Sequence, residues 1–212
     1  MKNTGRTKEK KWFMIGAGGH ARVVIATARA CGLPDPQACL VDDGSEAERE
    51  PIHGIPLLSL ESVVSQSGLF FPAVGANEVR WRMIRQLGDL GWQAISICHP
   101  RALLEKDVSI GVGTIIAMGA MIQTGVHLGN GVIVNTGAIV DHDVQAGDCV
   151  HIAPGAVILG ETVIGPRALI GAGSRILPCV QIGEDAIVGA GSVVRDNVAC
   201  RTTVVGSPAK RV

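Results

Sequence analysis

The stretch GVIVNTGAIVDHDVQAGDCVHIAPGAVILG, Gly131 to Gly160, carries an apolar residue at every sixth position: Val134, Val140, Ala146, Ile152 and Ile158. Two places before each stands a small or β-branched residue: Val132, Ala138, Val144, Val150 and Ala156. A period of six matches neither a helix at about 3.6 nor a half-buried strand at about 2. It fits a β-solenoid, in which one short strand and its turn form one flat side of a prism. The frame extends backwards through Leu128, Ile122, Ile116, Ile110 and Leu104, and forwards through Ile164, Ile170, Ile176, Ile182, Val188 and Val194. Ala146 is its weakest member. Three hexads close one triangular coil, so features should also recur every third hexad. Gly111, Gly129, Gly147, Gly165 and Gly183 do so, each directly after its anchor.

Composition agrees with a narrow aliphatic interior. Of 212 residues 47% are hydrophobic and 28 are glycine, yet there are only three Trp, three Phe and no Tyr. Lys+Arg and Asp+Glu are both 19, which excludes the basic excess expected of a nucleic-acid surface. The six cysteines lack CxxC spacing and sit among apolar neighbours, so reduced thiols in the cytoplasm are expected, not disulfides or zinc. The histidines show no metal-ligand spacing, and no metal is expected. The lysine-rich start precedes only a short apolar run, and no long unbroken apolar stretch follows, so neither secretion nor a membrane span is expected.

The first hundred residues read differently. Trp12 to Ile15 is a strand ending in GAGGHA, and VVIATARAC a helix stopped by Gly32 and Pro34. Ala38 to Val41 and Leu69 to Val74 are further strands, Ser59 to Ser67 a short helix, Glu78 to Leu90 a longer one, and Ala94 to Cys98 a last strand. This alternation predicts a small parallel α/β unit over residues 1–101, followed by the solenoid over 102–212. Gly16, Gly18 and Ala21 fit the loose G-x-G-x-x-G/A dinucleotide fingerprint. A full dinucleotide site needs two mononucleotide halves, and there is room for one. A half-Rossmann unit suits a single nucleotide, with its pyrophosphate near a helix N-terminus.

GAGGHARVV, LVDD, AVGANEVR, ISICHP, NTGAIVDHD, VHIAPGA and VVGSPAKRV, in that order, resemble one family closely. It is the family of hexapeptide-repeat acetyltransferases that modify nucleotide-linked 4-amino-4,6-dideoxyhexoses, together with the related sialic acid O-acetyltransferases. The resemblance implies that the solenoid is a left-handed parallel β-helix and that the protein is a homotrimer with active sites between subunits. It implies acetyl-CoA as co-substrate and a nucleotide-linked amino sugar, carried on UDP, as acceptor.

Acetyl transfer to an amine needs the amine as free base, and an imidazole of ordinary pKa about 6.5 can take its proton at neutral pH. A carboxylate on the other ring nitrogen would orient that ring and make it more basic. His142 stands between Asp141 and Asp143, and sequence leaves either as the partner. The resemblance gives His142 the role of base, Asp143 that of helper, and Gly160 that of oxyanion donor. It places His151, Gly160, Ala172 and Ala190 against acetyl-CoA. For the nucleotide sugar it carries over Gly18, Gly19, His20, Asp42, Asp43 and Gly75. Lys210 and Arg211 could meet the CoA phosphates; His53, His99 and His127 receive no role. The rivals are O-acetylation of a sialic acid by the same base, a non-catalytic scaffold that kept the repeats, and an NAD-linked oxidoreductase.

Overall fold

The structure, a computed structural model, describes residues 11–41, 50–65 and 67–212. Its first part is a parallel sheet of strands β1 (Trp12–Ile15), β2 (Cys39–Val41), β3 (Leu57–Ser59), β4 (Leu69–Pro72) and β5 (Gln93–Ala94), in the order β3-β2-β1-β4-β5. Helix α1 (Gly19–Ala30) follows β1 and helix α2 (Asn77–Asp89) follows β4. Strand order reverses between β1 and β4, and in such sheets ligands bind in the crevice beyond the carboxyl ends at that point. Gly16, at φ 102°, makes the turn out of β1; a Cβ there would lie 3.1 Å from the Ala73 carbonyl oxygen after β4. Glycine is therefore required for these two loops to lie side by side.

Three expectations change. Helix α1 begins at Gly19 rather than Val23, so the glycine turn itself supplies its first turn. Among the described residues of Ser59 to Ser67 the only helical turn is the 3₁₀ turn Leu60–Ser62, because Leu57–Ser59 is taken up as a strand against β2. Ala94 to Cys98 is not one strand. Gln93–Ala94 closes the α/β sheet, while Ile97–Cys98 pairs with Ile115–Ile116 as the first rung of the solenoid.

From there the chain is a left-handed parallel β-helix. Each two-residue strand pairs in parallel with the strand one coil later, as in Met121↔Ile139 and Ile122↔Val140. The rungs form three faces of six, five and eight strands. The sixfold anchors and their partners two places earlier point inward and are buried, from Ile122 and Ala120 to Val194. Each fully buried aliphatic side chain contributes on the order of 1.5–3 kcal/mol. Where a hydroxyl takes the smaller position it is satisfied by backbone: Thr114 donates to the Gly129 carbonyl (3.0 Å) and Ser174 to that of Gly171 (2.7 Å).

The corner glycines have a steric cause. A Cβ at Gly111 would lie 2.5 Å from the Gly129 carbonyl carbon, and one at Gly165 would lie 2.5 Å from the Glu184 nitrogen. Successive coils meet there backbone to backbone. A second sixfold clock runs beside the first: every sixth residue from Gly113 to Gly191 has positive φ. Glycine fills many of these positions, but Asp143, Cys149, Glu161, Arg167, Cys179 and Asp185 adopt φ between 55° and 60°. At the far end Thr203–Val205 continues the eight-stranded face and Lys210–Arg211 folds back on it antiparallel, covering the edge.

The two parts share a core. The outward-facing residues Ile97, Ile115 and Ile133 of the eight-stranded face are buried beneath Val24, Ile25 and Ala28 of α1. His151 is the next residue outward in that register, directly above Ile133.

Candidate active site

His142 lies on the edge between the six- and five-stranded faces, just after Ile139–Val140. Its Nδ1 is 2.9 Å from Asp143 Oδ2. Asp141 points elsewhere, accepting the His142 backbone N–H at 2.8 Å. The left-handed turn at Asp143, φ 57°, brings that carboxylate round to the ring. With a carboxylate on Nδ1, that nitrogen carries the proton, and Nε2 keeps its lone pair for a substrate. The Asp143 hydrogen bond holds His142 above the ordinary histidine range, opposed by desolvation and reinforced by the charges of Asp141, Asp143 and Glu161.

Gly160 lies one coil on, under the imidazole. A Cβ there would sit 2.5 Å from His142 Cε1 and Nε2, so only glycine lets the ring rest over this backbone. Among the described residues the Gly160 N–H has no backbone acceptor, while its carbonyl accepts from Cys179. Ala172 and Ala190 stack on another edge, where the Gly191 N–H donates to the Ala172 carbonyl at 2.8 Å.

The other predicted residues gather elsewhere. Gly18 caps α1, and Gly19 and His20 form its first turn, beside the loop that holds Gly75. A Cβ built at Gly18, Gly19 or Gly75 meets nothing within 4 Å, so these backbones can be approached closely. A cavity of about 430 Å³ opens next to this turn, lined by Ala17, Arg22, Glu50, Ile52, His53 and Leu57. Asp42 and Asp43 lie outside the described residues. His20 and His151 face each other with ring centroids 6.5 Å apart. Burial, then the nearby Arg80 charge, lowers both to about 4, with His20 adding to the effect on His151. Both rings are therefore neutral at pH 7. The Asn135 amide nitrogen is 3.2 Å from His151 Nε2, and His20 Nε2 is buried without a partner among the described residues.

Sequence reasoning missed two members of this cluster. Asn135 fixes the His151 ring, and its place in the quoted NTGAIVDHD was the available signal. Arg80 is wholly buried, and no periodicity distinguishes it from the solvent-facing arginines of α2.

Within one chain these groups do not share a cavity. His142 is on the edge opposite the eight-stranded face that carries His151, because nine residues is half a coil. Among the described residues no group of His, Cys, Asp or Glu is arranged to hold a metal ion, and no helix is long and apolar enough to cross a membrane.

The chain resembles known proteins over nearly its whole length. Residues 11–87 match the PglD N-terminal domain, and residues 161–196 match the bacterial transferase hexapeptide (six repeats). Perosamine N-acetyltransferase from Caulobacter crescentus, solved as a histidine-to-asparagine variant with CoA and GDP-perosamine, is 33% identical with a TM-score of 0.89 over 95% of this chain and 96% of that one. This chain belongs to the hexapeptide-repeat sugar N-acetyltransferases. The acetyltransferase domain of PglB from Neisseria gonorrhoeae is likewise 33% identical, TM-score 0.89, over 96% of this chain and all of that one. WeeI from Acinetobacter baumannii is 27% identical, TM-score 0.87, over 95% and 99%. No curated protein sequence matches the chain. As a sugar N-acetyltransferase of this family the protein is an enzyme, which sets aside the scaffold and oxidoreductase readings.

Proposed function

We propose that the protein transfers the acetyl group of acetyl-CoA to the 4-amino group of a nucleotide-linked 4-amino-4,6-dideoxyhexose. The observation that carries this reading is the His142–Asp143 pair lying over Gly160 on a hexapeptide solenoid. The acceptor amine attacks the thioester carbonyl as its N–H proton passes to His142 Nε2. Asp143 holds the imidazolium that forms. The Gly160 N–H is placed to donate to the oxyanion, and collapse expels the CoA thiolate, which takes up a proton. Ala172 and Ala190 offer backbone to the pantetheine arm, and Lys210 and Arg211 offer charge to the CoA phosphates.

The nucleotide sugar is assigned to the β1/β4 crevice. Its pyrophosphate lies at Gly18, Gly19 and His20, and its sugar lies toward Gly75 and His20; His151, which the resemblance places against acetyl-CoA, faces His20. Asp42 and Asp43 are assigned to the nucleoside. The resemblance points to UDP as carrier; the relative solved with GDP-perosamine favours GDP as a second reading. The division 1–101 and 102–212 then separates acceptor binding from acetyl binding. The opposed placement of His142 and His151 supports a homotrimer, in which the His142 edge of one subunit meets the His20–His151 cluster of the next.

The test is thiol release from acetyl-CoA against UDP- and GDP-linked 4-amino-4,6-dideoxyhexoses, the free sugars and sialic acid. Release only with a nucleotide-linked amine is expected, and it identifies the carrier. Release with sialic acid alone would move the protein to the O-acetyltransferase branch.

A further inference from the structure

Arg80 is fully buried near the start of α2, yet all five hydrogen bonds it makes go to uncharged acceptors. Its Nε donates to the Gly131 carbonyl (2.7 Å), and Nη1 to those of Val74 (2.9 Å) and Gly75 (3.1 Å). Nη2 donates to Asn77 Oδ1 (2.8 Å) and the Cys149 carbonyl (2.7 Å). A guanidinium has five N–H donors, so this one is saturated. Two acceptors belong to the loop after β4, one to Asn77 at the start of α2, and two to solenoid corners one coil apart. The neighbouring residues extend the same seam. Asn77 donates to the Arg167 and Ala168 carbonyls, Glu78 pairs with Arg167 at 3.2 Å, and Trp81 lies beneath the Arg167 guanidinium.

Among the described residues Arg80 has no carboxylate partner; a buried cation so placed costs stability, and apolar packing would join α2 to the solenoid more cheaply. Its location gives it a use. The Val74–Ala76 loop forms one wall of the β1/β4 crevice, and Arg80 fixes that wall against the rungs bearing Gly131 and Cys149. We propose that Arg80 is a positioning residue, which sets the register between the nucleotide-sugar loop and the β-helix beside the His20–His151 pair. This rests on the assignment of the crevice to the nucleotide sugar. The titratable groups facing Arg80 are His20 from α1, and His151 and the Cys149 thiol from the solenoid. Burial pushes that thiol up to about 11, so it supplies no compensating anion. Asp148 and Arg167 lie beyond Cys149 and affect it with opposite signs.

The test compares Arg80→Met and Arg80→Lys with the native protein by steady-state kinetics and by histidine ring NMR titration, with His20 and His151 assigned through single His→Gln variants. In the native protein neither ring should titrate above about pH 5. Arg80→Met should raise both midpoints and raise KM for the nucleotide amino sugar about tenfold or more, with KM for acetyl-CoA within about twofold. Arg80→Lys keeps the charge but offers three donors to five acceptors. It should raise that KM while leaving the midpoints closer to native. Unchanged midpoints and an unchanged KM in a folded Arg80→Met protein would overturn the proposal. If that variant does not fold, an unchanged KM in Arg80→Lys does so. The titration needs no substrate, so it gives its answer even if the acceptor is another sugar.

Discussion

Gly160→Ala isolates the geometry of the proposed base. The φ of Gly160 is ordinary, so alanine meets no backbone penalty there. Its one cost is the new methyl, 2.5 Å from His142 Cε1 and Nε2. Ordinary carbon contacts are about 3.5–4 Å, so the ring must retreat by roughly 1 Å. It can do so because the His142 side chain is 48% exposed, which keeps the stability cost small. Retreat pulls Nδ1 off Asp143 and moves Nε2 away from the attacking amine. A 1 Å misplacement of a catalytic group costs about 10²-fold, or about 2.7 kcal/mol of barrier. Thiol-release kinetics should therefore show kcat down by roughly two decades at an unchanged Tm. Gly88→Ala, where a Cβ meets nothing within 4 Å, should leave turnover as it is. A folded Gly160→Ala enzyme with kcat within about twofold of native would refute the placement of His142 over Gly160.

Further outcomes follow from the same geometry. Rate should fall as pH drops through the His142 pKa, which Asp143 holds above its usual value; Asp143→Asn should move that acid limb of kcat/KM to lower pH and lower its plateau. Gly165→Ala drives a methyl onto the Glu184 backbone 2.5 Å away and should cost about 1–3 kcal/mol, read calorimetrically as a Tm lower by about 2–10 °C. Mixing inactive His142→Ala subunits with inactive His20→Ala subunits should restore roughly a quarter of native activity if the site spans two subunits, and none if it lies within one.

The solenoid was legible because its core repeats: every sixth residue faces the same narrow interior, and selection for aliphatic side chains there writes the period directly. The second clock was hidden. Its positive-φ turns read as glycine at Gly125 and Gly137 but as Asp143, Cys149 and Arg167 elsewhere. The choice between Asp141 and Asp143 could not be made from adjacency, since it depends on that turn's φ. Strand β3 and the break between Ala94 and Ile97 escaped because two- and three-residue strands carry too little alternation to register. Arg80 escaped because burial of a charge is decided by the partner surface, here Gly131 and Cys149, far away in the chain.

His142 is the proposed base of the acetyl transfer, and the turnover of His142→Ala, set beside its affinity for acetyl-CoA, tests that role. In that variant kcat should fall by about 10²–10⁴ with acetyl-CoA binding largely intact. Near-native turnover in that variant would contradict it.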